Sequence, residues 1–128
     1  MQSLGSEHVA TVRYLVNDVD TALAFYAALG FALKERYGPP FAIVARGDLD
    51  LWLSGPGTSA ARPMPDGAKP VPGGWNRLVI SVDDLAATVA VLRTGGHRFR
   101  NDVVKGPGGS QILVEDPSGN PVELFQPG

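Results

Sequence analysis

The fold is decided by a stretch near the end of the chain, Glu115-Asp116-Pro117-Ser118-Gly119-Asn120-Pro121-Val122-Glu123-Leu124-Phe125-Gln126. Its first half is a turn sequence, because Pro117 fixes φ, Gly119 allows a positive φ and Asp116 can accept a bond from its own backbone. Its second half alternates, so Val122 and Leu124 share one strand face while Glu123 and Phe125 share the other. The stretch therefore predicts strand, tight turn and strand, with one apolar face that packs against helices.

Length and composition favour a single soluble domain. The chain has 128 residues, 44% of them hydrophobic and 19% charged, which is enough apolar content for a core. The net charge is −2 and no basic stripe stands out, so we expect no nucleic-acid partner. No cysteine, secretory signal or membrane-length apolar run is found, and we expect a cytoplasmic protein with no membrane partner.

The first part of the chain reads as one strand, one helix and three more strands. Asp18 is a suitable N-cap and Gly30 a suitable residue just beyond the last helical turn. Leu23 lies on the apolar face of this helix, and we expect it to be buried. The strands are predicted at the following positions: Val9–Val16, Phe31–Tyr37, Phe41–Arg46 and Leu49–Leu53.

The same pattern returns after a segment that has no hydrophobic period. Ten of the 20 residues in 55–74 are Gly or Pro, which is typical of a loop or linker. At an offset of 66 residues, Val82-Asp83-Asp84-Leu85 then repeats the pattern of Val16-Asn17-Asp18-Val19. A helix is predicted at Leu85–Thr94, with Leu92 buried, and the strands at the following positions: Trp75–Val82, His97–Val103, Gln111–Glu115 and Val122–Gln126.

A tandem duplication is therefore the organising feature of the fold. We predict an α+β domain over 1–128, made of two βαβββ modules whose curved mixed sheets enclose a cavity, with the helices outside. Module one covers 9–54, the linker 55–74 and module two 75–127.

The duplication and its motifs resemble a known superfamily. The runs Val16-Asn17-Asp18, Ala24-Phe25-Tyr26 and Leu29-Gly30-Phe31, together with the turn and strand 116–124, are similar to the vicinal oxygen chelate superfamily over residues 9–127. That superfamily includes glyoxalase I, extradiol dioxygenases, fosfomycin-resistance enzymes and bleomycin-resistance proteins. It spans several chemistries, so the resemblance implies the fold and leaves the activity open.

Catalytic members of the superfamily hold a divalent metal on the first and last strands of each module. The matching positions here are Thr11, Trp52, Arg77 and Glu123, of which only Glu123 is a metal ligand by type. His8 could supply a second ligand only if a bulge changed its strand parity, and we expect His97 to be structural or exposed. The resemblance therefore implies a site without a metal. If the site does bind a metal, Glu123 and His8 are the weak candidates for its ligands.

The same resemblance places a set of polar and aromatic residues in the cavity. Arg77 and Glu123 would pair there as cation and carboxylate, in place of a metal. Arg13 has the strand parity of Thr11, and the aromatic residues suit stacking on a flat organic ligand. The predicted ligand-binding residues are Thr11, Arg13, Trp52, Trp75, Arg77, Glu123 and Phe125.

Two functions fit this set of residues. The first is a glyoxalase/bleomycin-resistance-like protein that binds a small organic molecule in an aromatic cavity, with no metal or other cofactor. The second is an enzyme of the lyase, dioxygenase or isomerase type that uses a divalent metal or Glu123 as general base. We expect a homodimer in either case, and the sequence leaves open whether the modules pair within one chain or across two.

Overall fold

The structure is a computed structural model that describes residues 9–128. The first half forms one βαβββ unit with the elements β1 (Val12–Leu15), α1 (Val19–Ala28), β2 (Ala32–Tyr37), β3 (Phe41–Arg46) and β4 (Leu49–Ser54). A 3-10 turn at Ser59–Ala61 lies in the connection. The second unit has the elements β5 (Leu78–Ser81), α2 (Leu85–Thr94), β6 (Val104–Gly106), β7 (Gly109–Glu115) and β8 (Pro121–Pro127).

Each unit contributes one four-stranded mixed sheet. The strand orders are β1-β4-β3-β2 and β5-β8-β7-β6. β1 pairs parallel to β4 and β5 parallel to β8, whereas the remaining pairs are antiparallel. The predicted α+β fold of two tandem βαβββ units is confirmed, and the sheets do not close into a barrel.

The 66-residue offset holds to the residue. β5 and α2 begin and end 66 positions after β1 and α1. Asp18 and Asp84 both cap their helices by accepting a bond from the backbone N–H three residues later, at 3.1 and 3.0 Å. Gly30 and Gly96 both take a positive φ, of 87° and 82°, as the predicted helix ends require.

The core lies between the helices and one face of each sheet. Val122 and Leu124 are fully buried there, as their alternation predicts. Leu92 of α2 is 2% exposed, but Leu23 of α1 is only partly buried, which corrects the expectation for that helix. The buried stripe of α1 is instead the i, i+3, i+4, i+7 set Ala22, Phe25, Tyr26 and Leu29.

The predicted strand at His97–Val103 is wrong. Phe99 forms only an isolated bridge with Val114, and β6 begins at Val104. The physical reason is Asn101, whose side-chain oxygen accepts the Leu113 N–H at 2.9 Å and replaces a backbone acceptor. The first strand of each unit is also shorter than predicted, since β1 begins at Val12 and β5 at Leu78.

The two units contact each other within the chain. Asn120, in the turn before β8, donates to Leu15 O at 2.7 Å, and Ser118 Oγ accepts the Asn17 N–H at 2.8 Å. On the other side, Arg46 of β3 donates to Ser81 O at 3.2 Å. Between residues 9 and 128, neither helix is long and apolar enough to cross a membrane.

Candidate functional site

The first group of predicted site residues lies on the face of sheet one that is turned away from α1. Arg13 of β1 is in register with Trp52 of β4, and its guanidinium carbon lies 5.0 Å from the Trp52 ring centroid. Arg13 Nη1 also donates to Ser54 Oγ at 3.2 Å. Trp52 is half-buried because its neighbours Leu51 and Leu53 face the core on the other side. A cation is thus held over an aromatic ring at the exposed face of the sheet.

Two further aromatic side chains continue this face. Phe41 of β3 meets Trp52 edge to face, with the centroids 5.7 Å apart, and Tyr37 of β2 lies 5.7 Å from Phe41. Tyr37 is 56% exposed. The four side chains come from four different strands, so the row Arg13–Trp52–Phe41–Tyr37 crosses the whole sheet. Strand parity alone would have found the shared face, because directly paired residues project to the same side.

The second group lies on the corresponding face of sheet two. Glu123 of β8 is 7% exposed, and its Oε1 accepts hydrogen bonds from Arg77 Nε at 3.1 Å and Arg77 Nη2 at 3.0 Å. Val122 and Leu124 turn into the core on either side, which leaves Glu123 on the opposite face. The expected contact between the carboxylate and the guanidinium is therefore present. Two bonds to one oxygen make it a charge-assisted pair that is shielded from water.

The remaining predicted residues lie farther apart. Trp75 precedes β5, is 70% exposed and stacks on the Arg100 guanidinium, with 4.6 Å to the ring centroid. Phe125 is half-buried and follows Glu123 on the same face of β8. Thr11 is exposed just before β1 and lines a cavity of about 280 Å³ with the ion pair Lys34–Asp50. Within residues 9–128, no side-chain hydrogen bond, ion pair or ring contact joins the Arg13–Trp52 group to Arg77–Glu123.

Sequence reasoning missed the role of Arg100. Its Nε donates to Glu115 Oε2 at 2.8 Å, and its other nitrogens donate to Gly74 O at 2.7 Å and Gly119 O at 2.9 Å. The Arg100 side chain thus connects the end of the linker to the turn before β8, and its guanidinium also contacts the Trp75 ring. These partners are distant in sequence, and no periodic pattern points to them.

Sequence reasoning also missed the hydrogen bonds of two tyrosines, the buried Tyr26 and the partly buried Tyr14. Tyr26 donates to Asp116 Oδ2 at 2.8 Å, and burial, together with that carboxylate, raises the pKa of Tyr26 far above its usual value. Tyr14 accepts the Leu78 N–H at 2.8 Å and donates to Pro121 O at 3.1 Å. Burial raises the pKa of Tyr14, while the bond from Leu78 opposes part of that rise. Both residues lie on apolar faces, where a hydroxyl needs a partner, and that signal is present in the sequence.

His97, for which the sequence predicts a structural or exposed position, is half-buried. Its ring meets Phe25 edge to face at 4.9 Å, so a residue after α2 packs on α1 of the other unit. It lines a cavity of about 700 Å³ between the units, on the helix side of the sheets. His97 therefore lies on the helix side of the sheets, whereas Trp52 and Glu123 lie on the faces turned away from the helices.

The donor set does not fit a metal ion. Of the four matched positions, Thr11 lies beside Lys34 and Asp50, Trp52 has no ligand atom, and Arg77 is a permanent cation bound to Glu123. In the part of the chain that the structure describes, no three His, Cys, Asp or Glu side chains converge. His8, the other residue considered as a ligand, lies outside the described residues.

Comparison with known proteins gives a family and several similar folds. The family model described as Glyoxalase/Bleomycin resistance protein/Dioxygenase superfamily matches residues 6–124. A search of curated proteins found no match.

Three solved structures illustrate the likeness. Lactoylglutathione lyase from Agrobacterium tumefaciens is 20% identical, with 94% of each chain covered and a TM-score of 0.69. TnmS3, an antibiotic binding protein from Streptomyces sp. CB03234, is 26% identical, with 97% of this chain and 100% of that chain covered and a TM-score of 0.66. A superfamily member from Sphaerobacter thermophilus is 22% identical, with 93% and 98% covered and a TM-score of 0.69.

Proposed function

This chain belongs to the Glyoxalase/Bleomycin resistance protein/Dioxygenase superfamily, and from that premise we propose that it binds a small organic molecule without a metal and without turnover. The ligand would lie on the sheet faces that carry Trp52 and Glu123. The predicted ligand-binding residues Thr11, Arg13, Trp52, Trp75, Arg77, Glu123 and Phe125 are part of this proposal.

The observation that carries the proposal is the bond between Arg77 and Glu123. Glu123 is the single metal-ligand type among the four matched positions, and its Oε1 accepts two hydrogen bonds from the guanidinium. A guanidinium at a second matched position would repel a divalent cation. The same bonds engage the carboxylate that an enzyme of this type would use as general base, which favours binding over catalysis.

The aromatic residues support a flat ligand. The rings of Trp52 and Phe41 lie on one face of the sheet, and the more exposed ring of Tyr37 lies next to Phe41 on the same face. Aromatic surface next to a few fixed polar groups is typical of small-molecule sites. TnmS3, at 26% identity, is described as an antibiotic binding protein, which is consistent with this kind of function.

Elemental analysis and native mass spectrometry of the full chain, purified without chelators or a metal-affinity tag, test the proposal together. We expect no stoichiometric divalent metal and a small organic molecule that copurifies with the wild type and is lost from Trp52→Ala. Stoichiometric Zn, Mn, Ni or Fe that disappears in Glu123→Ala would overturn it and favour the metal-dependent enzyme. Val91→Ala, an exposed helix substitution, is the control for unrelated losses.

We include a homodimer in the proposal. The outer strands β2 and β6 expose Leu33 at 57% and Val104 at 49%, and a second copy could cover such edges. Light scattering at micromolar concentration should give twice the chain mass, and a monomer mass would contradict this part. A cytoplasmic location belongs to the same proposal, and cell fractionation followed by immunoblotting tests it.

A further inference from the structure

We propose that the face of sheet one selects a planar aromatic acid, with its ring system against Phe41 and Tyr37 and its anionic group on the Arg13 guanidinium. This inference rests on the proposed function and adds the chemical class of the ligand. It is carried by three features of the row Arg13–Trp52–Phe41–Tyr37: the fixed position of the cation, its neutral surroundings and the polarity of the sheet face.

The Arg13 guanidinium is held before any ligand arrives. Its central carbon lies 5.0 Å from the Trp52 ring centroid, and Ser54 Oγ accepts a hydrogen bond from one of its N–H groups at 3.2 Å. Both partners lie on β4, whose core residues Leu51 and Leu53 are fully buried, so the support is rigid. A cation fixed in this way loses little conformational entropy when it binds an anion.

The charge of Arg13 is not neutralised by its partners. The partners of Arg13 are a neutral hydroxyl and a neutral ring, and within residues 9–128 it has no carboxylate at ion-pair distance. By contrast, Arg36 pairs with Asp20, Arg77 with Glu123 and Arg100 with Glu115. Among residues 9–128, Arg13 therefore keeps N–H donors and a positive charge that no carboxylate pairs with.

The other charges on this face determine which edge of the sheet the anionic end of the ligand would occupy. Ile43 connects Trp52 on β4 to Glu35 on β2 through the strand register, so Arg13 and Glu35 stand at opposite edges of the sheet. Three strand spacings separate them, about 14 Å. Lys34 and Asp50 neutralise each other at 2.9 Å near the Thr11 end. An anionic group is therefore attracted to the β1 edge and repelled from the β2 edge.

The aromatic residues lie where the ring system of such an acid would extend. Phe41 and Tyr37 have ring centroids 5.7 Å apart and an interplanar angle of 34°, so the two rings are close neighbours with a similar tilt. Phe41 in turn meets Trp52, the support of Arg13. A molecule with two to four fused rings and one acidic group matches the order of these side chains across the strands.

The test compares two fluorescent probes that differ only in charge, pyrenecarboxylate and the neutral pyrenecarboxamide, titrated into the full chain. We expect the acid to bind at least about tenfold more tightly, which corresponds to about 1.4 kcal/mol. Arg13→Gln should abolish this difference, because it weakens binding of the acid far more than binding of the amide, whereas Arg13→Lys should keep part of it. Tyr37→Ala should weaken both probes by the same factor, because it removes ring contact and no charge.

Arg93→Gln is the matched control. Arg93 also stacks on an aromatic ring, Phe99, at 5.0 Å, and its replacement changes the net charge equally, but it lies at the end of α2. It should leave the preference for the acid unchanged. Equal affinity of the wild type for acid and amide, or an acid preference that survives Arg13→Gln, would overturn the inference and leave the proposed function standing. No binding of either probe would likewise overturn the inference, whereas the proposed function is decided by the copurification experiment.

Discussion

At the scale of single residues, the guanidinium of Arg77 and the carboxylate of Glu123 form the ion pair on which the proposed function depends. Glu123 has a side chain 10% exposed and Arg77 one that is 30% exposed, so the pair is partly shielded. A carboxylate in that environment needs a partner, because water reaches it poorly. The second member of the pair is therefore important for stability as well as for the proposed binding.

Arg77→Ala should lower the free energy of unfolding by about 1–3 kcal/mol, because it leaves a shielded carboxylate without its donor. Lys34→Ala is the control, since Lys34 also pairs with a carboxylate but is 56% exposed. It should leave stability nearly unchanged, because an exposed ion pair is well solvated. Urea melts measure both, and equal effects of the two substitutions would show that Glu123 is solvated without Arg77.

Tyr26 should make stability depend on alkaline pH. Burial and Asp116 raise its pKa, so the unfolded chain releases this proton near pH 10, whereas the folded chain keeps it. Stability is then fully present below about pH 10 and falls above it by up to about 1.4 kcal/mol per pH unit. Tyr26→Phe should cost about 1–3 kcal/mol at neutral pH and make this fall less steep. A fall of unchanged steepness in urea melts across this range would contradict the assignment.

At the scale of secondary-structure elements, both helices lie where their capping residues predict them, while the strand predicted at 97–103 is absent. The helices have local signals in their Asp N-caps and in the glycines that follow them. The region 97–103 has no comparable signal, because a side-chain acceptor at Asn101 interrupts its pairing with β7. The contact between Arg77 and Glu123 could be anticipated from matched positions. The stacking of Arg13 on Trp52 could not, because parity gives the face of a residue and only the register gives its neighbour.

The buried and exposed faces of the two helices predict a graded series of stability losses. Leu92→Ala should cost about 2–5 kcal/mol, because Leu92 is 2% exposed in a packed core. Leu23→Ala should cost less, since Leu23 is only partly buried. Val91→Ala, next to Leu92 but 66% exposed, should stay within about 0.5 kcal/mol. Denaturant melts that reverse the order of Leu92 and Val91 would show that the helix is rotated.

At the scale of the whole molecule, the two units should unfold together. Asp116, Ser118 and Asn120 all bond to residues of the first unit, although they belong to the second. These bonds are buried or partly buried for Asp116 and Asn120, so separating the units would leave several polar groups without partners.

Each unit contains one tryptophan, which makes this cooperativity measurable. Trp75→Phe leaves Trp52 as the reporter of the first unit, and Trp52→Phe leaves Trp75 as the reporter of the second. For each variant, we expect a single urea transition by tryptophan fluorescence. Its midpoint should coincide with the midpoint measured by circular dichroism on the same variant. Asn120→Ala should lower both midpoints by a similar amount. Two separated transitions in either variant would mean that the units fold independently.

The 66-residue repeat of the first strand and helix has a consequence for how a guest molecule would sit. Two identical halves would offer it two equivalent poses, related by the symmetry of the scaffold. Here the register places Arg13 beside Trp52 in one half and Val79 beside Glu123 in the other, so the halves differ where they would touch a guest. If a guest molecule with distinct ends binds on these faces, the difference between the halves would give it one preferred orientation in place of two equivalent ones.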